Sequence, residues 1–389
     1  MLGEPLELRC GLTLANRLVK AAMSDALGDG RGGVTDAQCS LYRRWAAGGT
    51  ALSIIGEVQT DRQFPESPGN LVVDDHADRE GLARLAAAGQ PGGVHLWPQL
   101  GHAGALAHAS ISNRAGPSAL DLPELSCRAL TIEEIEALPG RFASSAARCA
   151  AAGFTGVEVH AGHGFLLSQF LSPLFNRRTD RFGGSIEARA SIIIAIVEAI
   201  RTACGREFGV GIKLNCTDQL EGGLTEDEAL IVVEMLDETT IDVIDLSGGT
   251  YFPGAASTSD RTTEGPYFAD VGRRARGRTS AAVMVTGGVK TRADAAGLID
   301  SGAADLVGLA RTMALDPELP ASWLSPEPVD PSFPSFSSTI PGGITAWYTQ
   351  RLAELAGIEL APALTPEDAL AWLEARMADR EGIWRSASS

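Results

Sequence analysis

The chain has 389 residues, of which 44% are hydrophobic and 44 are glycine, so its composition is that of a core-forming protein and not of a disordered one. Its formal net charge at pH 7 is −17, from 49 acidic and 32 basic side chains, which argues against a nucleic-acid-binding surface. The length allows one large α/β barrel with extensions, or two domains of modest size.

The cysteines and the N-terminus bear on the compartment of the protein. The six cysteines include no CxxC pair, so the sequence favours neither a metal or iron–sulfur cage nor a disulfide framework. The first residues, MLGEPLELRC, lack the basic and apolar regions of a signal peptide, and no apolar run is long enough to cross a bilayer. We therefore expect a soluble cytoplasmic protein that binds neither membranes nor nucleic acid.

Short apolar runs alternate with amphipathic stretches along most of the chain, which is typical of repeated β/α units. The predicted strands are 17–22, 51–55, 93–98, 156–159, 209–214, 243–246, 282–286 and 304–307. The predicted helices between them are 36–47, 77–88, 131–152, 185–203, 225–238, 267–275 and 291–301. Capping boxes are predicted at Thr131 and Thr225, with a weaker helix start at Ser185.

Three segments lie outside this alternation. Residues 6–17 alternate and turn at Gly11, which predicts a hairpin across the bottom of a barrel. Residues 106–128 are a long insertion after the third strand. Residues 325–341 are rich in proline and serine, which indicates a linker, and two helices are predicted after it at 344–356 and 366–380.

Eight strands that alternate with helices favour a closed (β/α)8 barrel, the TIM-barrel fold, over a doubly wound sheet, because no GxGxxG follows an early strand. We predict an α/β protein in which residues 1–324 form the barrel with its N-terminal hairpin and its insertion. Residues 325–389 are predicted to form a linker and a C-terminal helical extension. Ligands of such a barrel bind where its strands end.

Two strand ends late in the barrel have the features of a phosphate site. The stretch 284-MVTGGVKT-291 places Gly287 and Gly288 between a strand and a helix, where the backbone can approach an anion and the helix start adds amide donors. The stretch 304-ADLVGLARTM-313 places Arg311 after the next strand. The alternative for the two glycines is turn geometry alone, but the neighbouring arginine favours phosphate binding.

Three polar residues at earlier strand ends could contact a ring. Lys213 lies in the apolar strand GVGIKLN and could place a cation beneath a ring carbonyl or nitrogen; the alternative is a lysine that extends to the surface. Gln99 can both donate and accept hydrogen bonds, which suits a heterocycle. Ser24 could contact the same ring through its hydroxyl.

The stretch 157-VEVHAGHGFLLSQF-170 places His160 and His163 on the loop after the fourth strand. Two histidines could hold a metal, but the sequence supplies no HExxH motif and no nearby carboxylate cluster as further ligands. Two imidazoles that donate to one substrate oxygen fit better, so we predict a substrate-binding pair and no metal.

Several stretches together resemble the old yellow enzyme family of FMN-dependent ene-reductases: NRLVKAAMS, QLGHAG, HAGHGFLL, SQFLSPLFNRRTDRFGGSIEARA, TGGVKT and ADLVGLAR. The resemblance covers roughly residues 6–320, and its NRRTDRFGGS motif is highly specific. It implies a barrel that binds non-covalent FMN at its mouth and takes NAD(P)H as reductant. The flavin would then pass a hydride to the β-carbon of a small electron-poor alkene.

The resemblance also implies roles for individual residues. His160 and His163 would hold the carbonyl or nitro oxygen of the substrate and stabilise the enolate. Gln99 would bind the pyrimidine edge of the flavin, and Lys213 its N1/C2 side, where relatives often carry arginine. The remaining flavin and phosphate contacts would come from Ala21, Ala22, Met23, Ser24, Val58, Gly287, Gly288, Ala310 and Arg311.

The sequence departs from the family at three positions. Ser24 stands where relatives have threonine or cysteine, Ala310 where they have glycine, and Phe165 where they have the tyrosine that protonates the α-carbon. Phenylalanine has no acidic hydrogen. Tyr251, which would also contact the substrate, or Tyr267, or water could deliver the proton instead. Otherwise the enzyme would act as an alkene isomerase or as a desaturase of saturated carbonyl compounds.

The sequence leaves other interpretations of the function open. A barrel that binds phosphate without redox chemistry is the alternative from a different class. A hydrolase is disfavoured because there is no GxSxG motif, and a larger iron–sulfur and FAD-bearing reductase because there is no cysteine cluster. The family further implies a homo-oligomer, either a dimer or a tetramer. The stretch 343-GITAWYTQRL-352 would be a helix packed on the barrel or a substrate contact.

Overall fold

The computed structural model describes residues 1–123, 125–252, 255, 265–336, 340–361 and 365–387. Its strands, in chain order, are β1 (Leu6–Glu7), β2 (Thr13–Leu14), β3 (Leu18–Lys20), β4 (Leu52–Gln59), β5 (Leu71–Val72), β6 (His95–Gly101), β7 (Ala115–Gly116), β8 (Leu120–Leu122), β9 (Leu125–Ala129), β10 (Gly156–Ala161), β11 (Gly209–Asn215), β12 (Val243–Ser247), β13 (Ala282–Thr286) and β14 (Leu306–Leu309). Its α-helices are α1 (Asp36–Ala47), α2 (Arg79–Gly89), α3 (Ile132–Ala151), α4 (Leu166–Leu171), α5 (Ile186–Cys204), α6 (Glu226–Asp237), α7 (Ala269–Arg276), α8 (Arg292–Asp300), α9 (Arg311–Leu315), α10 (Leu319–Leu324), α11 (Gly343–Leu355) and α12 (Pro366–Ala387).

Eight of these strands close into one parallel barrel, in the order β3, β4, β6, β10, β11, β12, β13 and β14. The ring closes where β14 pairs with β3, with Gly308 as the register partner of Val19, and β3 pairs in turn with β4. All of the pairings around the barrel are parallel. The predicted (β/α)8 barrel is therefore confirmed, and each of the eight predicted strands overlaps an observed one.

Helix starts follow the capping signals of the sequence. In α3, the Thr131 hydroxyl accepts a hydrogen bond from the Glu134 amide, and the Glu134 carboxylate accepts one from the Thr131 amide. Thr225 and Glu228 repeat this arrangement in α6, whereas Ser185 caps α5 with its side chain alone. The sequence does not predict α4, α9 and α10, because six residues or fewer are too few to show a helical period.

The N-terminal hairpin closes the bottom of the barrel, as predicted. β1 pairs with β2 antiparallel, and Leu8 and Leu14 pack with Trp97 in one buried cluster. The indole of Trp97 fits the barrel interior because strand positions that face it are glycine. A Cβ atom added at Gly156 or at Gly209 would collide with the indole ring. The bottom of the barrel is thus a packed core and not a pore.

The remaining segments pack around the barrel. The insertion after the third barrel strand forms a three-stranded sheet in the order β7, β9, β8. In the C-terminal part, α11 packs against α9 and α1, and α12 packs against α11. Arg376 of α12 donates to the carbonyl oxygen of Ala26 at 3.0 Å, just beyond β3. Among the described residues, no helix is both long enough and apolar enough to span a membrane.

We expect Trp97→Ala to lower the free energy of unfolding by about 3–5 kcal/mol, because the glycines around the buried indole cannot fill the space it leaves. Urea unfolding followed by circular dichroism measures the loss. Gly140→Ala in α3 is the control, since no atom lies within 4 Å of a Cβ atom there, and stability should stay equal or rise slightly. A Trp97→Ala protein as stable as the wild type would contradict this packing.

Candidate functional site

A cavity opens where the barrel strands end, and most of the residues predicted to form a site line it. These are Ala22, Met23, Ser24, Gln99, His160, His163, Lys213, Tyr251, Gly287, Gly288, Ala310 and Arg311. Ala21 and Val58 do not line it; both are fully buried, and Val58 belongs to the hydrophobic core. Phe165 is buried beside the cavity. The barrel thus brings the separate motifs together, while the role of each residue stays a prediction.

Gly287 and Gly288, which we call the glycine pair, follow β13 with φ angles of 127° and 79°. These angles favour glycine, and a Cβ atom at Gly288 would also collide with a backbone carbonyl. The helix start after them does not offer the amide donors expected from the sequence. The carboxylate of Asp294 accepts from the amides of Lys290 and Thr291 at 3.1 and 2.9 Å, so the start of α8 is closed by its own capping box.

Two cations and one side of helix α11 lie beside the glycine pair. Arg311 and Lys290 line the cavity, and within the described residues neither is paired with a carboxylate. The guanidinium of Arg311 lies 5.9 Å from the ring centre of Tyr348. Tyr348 belongs to α11, which also places Thr345 and Thr349 in the lining. This end of the cavity therefore favours an anion.

Strand register sets the polar floor of the cavity. Gln99 is the register partner of Glu158, and its Nε2 donates to the Glu158 carboxylate at 2.6 Å, which leaves its carbonyl oxygen as an acceptor. Burial raises the pKa of Glu158 to about 8. Lys213 is the register partner of Asp245, and its ammonium forms an ion pair with that carboxylate. The Thr286 hydroxyl donates to the other oxygen of Asp245 at 2.6 Å.

Lys213 keeps its charge although only 1% of the residue is exposed. Burial acts to lower the pKa of Lys213, but the carboxylates of Asp245 and Glu158 outweigh that effect and raise it. The alternative of a lysine that extends to the surface is therefore wrong. The floor carries a fixed positive charge, which can stabilise negative charge on a bound ring.

His160 and His163 lie together, with their ring centres 5.3 Å apart. Nδ1 of His160 accepts from the Gly162 amide at 3.3 Å, which assigns its proton to Nε2, and Nε2 of His163 lies 3.2 Å from the Ser247 hydroxyl. Burial lowers the pKa of both rings, to about 3 for His163, so both are neutral at physiological pH. Each neutral imidazole carries one N–H donor, which suits the binding of an oxygen atom.

Phe165 packs against the imidazoles, at the position where the family resemblance places an acid. Its ring centre lies 5.0 Å from that of His160 and 5.9 Å from that of Tyr251. The Tyr251 ring lies 5.8 Å from His163, and 58% of the residue is exposed. The Tyr267 ring instead lies against the glycine pair. Of the two tyrosines named from the sequence, Tyr251 is therefore the one beside the imidazoles.

Sequence reasoning misses several residues of the lining, and Glu57 is the most informative of them. The family resemblance implies that Val58, in 56-GEVQT-60, lies near the cofactor, but Glu57 lines the cavity and Val58 does not. The pairing of β4 with β6 shifts between Ile55 and Val58, and Glu57 has a φ of 61°. Gly56, which precedes it, is the signal that could have indicated a β-bulge. The other missed lining residues include Ser247, Phe268, Thr286, Lys290, Phe333, Thr345 and Thr349.

The fold and the cavity define a β/α-barrel protein with a ligand site at the ends of its strands. The sequence model of the NADH:flavin oxidoreductase / NADH oxidase family matches residues 1–324 of the chain. The protein therefore belongs to this family, which is the old yellow enzyme family to which its motifs are similar.

Relatives differ in how much of their length the chain covers. The NADH-dependent flavin oxidoreductase iliE of Hypocrea jecorina is 32% identical over 350 residues, which is 81% of this chain and 87% of that protein. The metal reductase of Desulforamulus reducens is 33% identical over 322 residues, which is 82% of this chain and 48% of that protein. The chain thus spans about half the length of some of the curated relatives it matches.

Solved structures support the same fold. A 2-naphthoyl-CoA reductase complex superposes with a TM-score of 0.78 at 26% identity, over 84% of this chain and 52% of that one. The old yellow enzyme homologue of Zymomonas mobilis superposes with a TM-score of 0.74 over 85% of this chain and 94% of that one. At 20% identity, this second likeness shows the fold alone.

We expect Asp245→Asn to lower the free energy of unfolding by about 3–5 kcal/mol, because it leaves the buried Lys213 ammonium without its carboxylate partner. Urea unfolding again measures the loss. The double variant Lys213→Met/Asp245→Asn is the control, since it removes both charges and should recover most of the stability. Equal stability of Asp245→Asn and the wild type would mean that the ion pair does not hold the floor together.

Proposed function

We propose that the protein is an FMN-dependent reductase of the old yellow enzyme type. It uses NADH to reduce the carbon–carbon double bond of a small unsaturated carbonyl or nitro compound. The observation that carries the proposal is the content of one cavity. It combines two cations at the glycine pair that have no carboxylate partner in the described parts of the chain, Lys213 and Gln99 on the floor, and two neutral imidazoles. The names of relatives favour NADH, and NADPH stays as the alternative reductant.

The cavity suits FMN. Its phosphate would bind at the glycine pair with Arg311 and Lys290 as counter-charges, because neither cation has a carboxylate partner among the described residues. Its ring would lie near Lys213 and Gln99, whose free carbonyl oxygen would accept a ring N–H. Bound FMN supplies a carrier that takes a hydride from NADH and gives it to the substrate. The further contacts proposed for it come from the lining residues Ala22, Met23, Ser24 and Ala310.

His160 and His163 bind the substrate in this proposal. Their N–H groups donate to its carbonyl or nitro oxygen, and no proton needs to leave the rings because both are neutral. Hydride addition to the β-carbon shifts negative charge onto that oxygen. Donors that are already oriented in a buried site stabilise this charge more strongly than water does. Tyr251 and Phe165 would flank the substrate on the same side.

Phe165 favours a second candidate, a flavin-dependent desaturase or alkene isomerase. Its ring beside His160 carries no acidic hydrogen, so an enolate formed there gains no proton from it. Without another acid, hydride addition is reversible, and loss of a hydride after rotation about the Cα–Cβ bond would isomerise the alkene. Desaturation would instead start from a saturated carbonyl compound that loses its α-proton to a base and its β-hydride to the flavin. The products separate the two candidates, because only net reduction consumes NADH and yields a saturated compound.

The division of the chain and its assembly are part of the proposal. Residues 1–324 would form the FMN-binding barrel, and residues 325–389 a linker and helical extension. The extension would also complete the phosphate end of the site, since α11 contributes Tyr348 beside Arg311. A homo-oligomer, dimer or tetramer, and a cytoplasmic location stay predictions.

The purified protein should bind FMN, and Arg311→Ala should raise the dissociation constant for FMN about 10- to 100-fold. The reason is the loss of one charge-assisted contact to phosphate, worth about 1.5–3 kcal/mol. Flavin fluorescence titration measures the constant. Arg278→Ala, at an ion pair with Glu234 outside the cavity lining, is the control and should bind FMN like the wild type. A protein that stays colourless in excess FMN would contradict the proposal and favour a phosphate-binding barrel without redox chemistry.

We expect His163→Ala to lower kcat/KM for cyclohexenone by about 10²-fold, since it removes one donor to the oxygen on which charge develops. The assay follows NADH oxidation without oxygen and counts cyclohexanone by gas chromatography. His76→Ala, at an exposed histidine, is the control. If the amount of NADH consumed does not equal the amount of cyclohexanone formed in the wild type, the reductase proposal fails, and saturated ketones become the substrates to try.

A further inference from the structure

A β-bulge in β4 directs the carboxyl side chain of Glu57 towards the cavity. A Cβ atom at Gly56 would collide with the backbone of Met23, so the strand passes very close to the segment after β3. Beyond Gly56, the pairing shifts and Glu57 adopts a φ of 61°, a conformation that side chains other than glycine rarely take. As a result, Glu57 lines the cavity while Val58 points into the core. Strain of this kind concentrates at functional sites.

Glu57 is buried, and no cation in the described parts of the chain forms an ion pair with it. Only 9% of the residue is exposed, and its Oε2 has no hydrogen-bond partner among the described residues. The neighbouring acid that acts on it is Glu66, whose carboxylate accepts from the Asn70 amide at 3.2 Å. Two acids that share a site cannot both ionise easily, so the pKa of one of them is raised. Burial, and then Glu66, hold the pKa of Glu57 well above its ordinary value, which keeps this carboxyl protonated.

The other ionisable groups near the imidazoles suit proton donation less well. His160 and His163 are neutral and are needed as donors to the substrate oxygen. The ammonium of Lys213 is held by Asp245 in the floor. Tyr251 has a phenol, but 58% of the residue is exposed. Glu57 alone among these combines burial in the lining, a retained proton and an oxygen with no partner in the described chain.

We propose that Glu57 is the internal acid that protonates the α-carbon of the alkene, in the role that Phe165 cannot fill. This inference rests on the proposed function. A hydride forms the new bond at the β-carbon, and the π electrons of the double bond move to give an enolate whose oxygen is held by His160 and His163. The O–H bond of Glu57 then breaks and a C–H bond forms at the α-carbon. Glu57 is left as a carboxylate and regains a proton from Glu66 or water before the next turnover.

The test compares two electron acceptors in the FMN-loaded full-length protein. Reduction of cyclohexenone needs a proton on carbon, whereas reduction of benzoquinone places its protons on oxygen, where water can supply them. We expect Glu57→Gln to lower the ratio of cyclohexenone to benzoquinone turnover by about 10²-fold. The double variant Glu57→Gln/Phe165→Tyr should recover most of that ratio, because it restores a phenol beside His160.

Three results would overturn the assignment. An unchanged ratio in Glu57→Gln, or an equal fall with both acceptors, would make Glu57 a structural residue. If the ratio of cyclohexenone to benzoquinone turnover falls in Tyr251→Phe but not in Glu57→Gln, the proton donor is the phenol of Tyr251. A wild-type protein that reduces benzoquinone but no alkene would contradict the proposed function itself, so that failure is distinguishable from the other two.

The Glu66→Gln variant gives a readout that a structural role would not change. The titratable groups that act on Glu57 within the described residues are Glu66 and Tyr251, and an ordinary phenol titrates only near pH 10. Donation needs protonated Glu57, so turnover of cyclohexenone is present below the pKa of Glu57 and is lost as pH rises through it. Glu66→Gln removes a like charge and lowers that pKa. The fall in turnover should therefore move to lower pH, and an unmoved profile would count against the proposal.

Discussion

Closure of eight parallel strands is the constraint on which the rest of this structure depends. All eight barrel strands run in one direction, so their carboxyl ends meet at one rim, and motifs far apart in the sequence meet there as well. Register then decides which side chains are neighbours. His160 is the partner of Lys213 on the next strand, and Lys213 is the partner of Asp245 on the strand after it. The polar floor of the cavity is therefore a consequence of strand pairing and not of any single motif.

Burial gives this arrangement its chemical character. Charges in a low-dielectric interior persist only with partners, and Lys213 keeps its charge because its ion pair with Asp245 opposes the cost of desolvation. The same burial makes both imidazoles neutral. Glu57 is buried as well, but its partner is another acid, so burial there favours the protonated form. One physical effect thus yields a fixed cation, two neutral donors and a proton-bearing acid around one cavity.

The sequence is sufficient to predict the barrel and about half of the residues that line its cavity. Apolar runs mark the strands, capping signals mark the longer helices, and polar residues at strand ends mark the site, as with Lys213 and Arg311. Glu57 is not predictable in this way, because a β-bulge breaks the two-residue period that assigns side chains to faces. The residues that α11 adds to the cavity lining are also not predictable from the sequence, because they depend on how a segment beyond the linker packs on the barrel. The closed start of α8 is not predicted either, because it depends on Asp294, which accepts from the amides of Lys290 and Thr291.

The proposed function requires that a flavin in this cavity exchanges a hydride with a substrate whose oxygen is bound by His160 and His163. An anaerobic titration of the FMN-loaded protein tests it most directly. Addition of NADH should bleach the flavin absorbance, and addition of cyclohexenone should restore it with one cyclohexanone formed for each flavin reoxidised. Flavin that is reduced by NADH but stays bleached in excess cyclohexenone and maleimide would contradict the account.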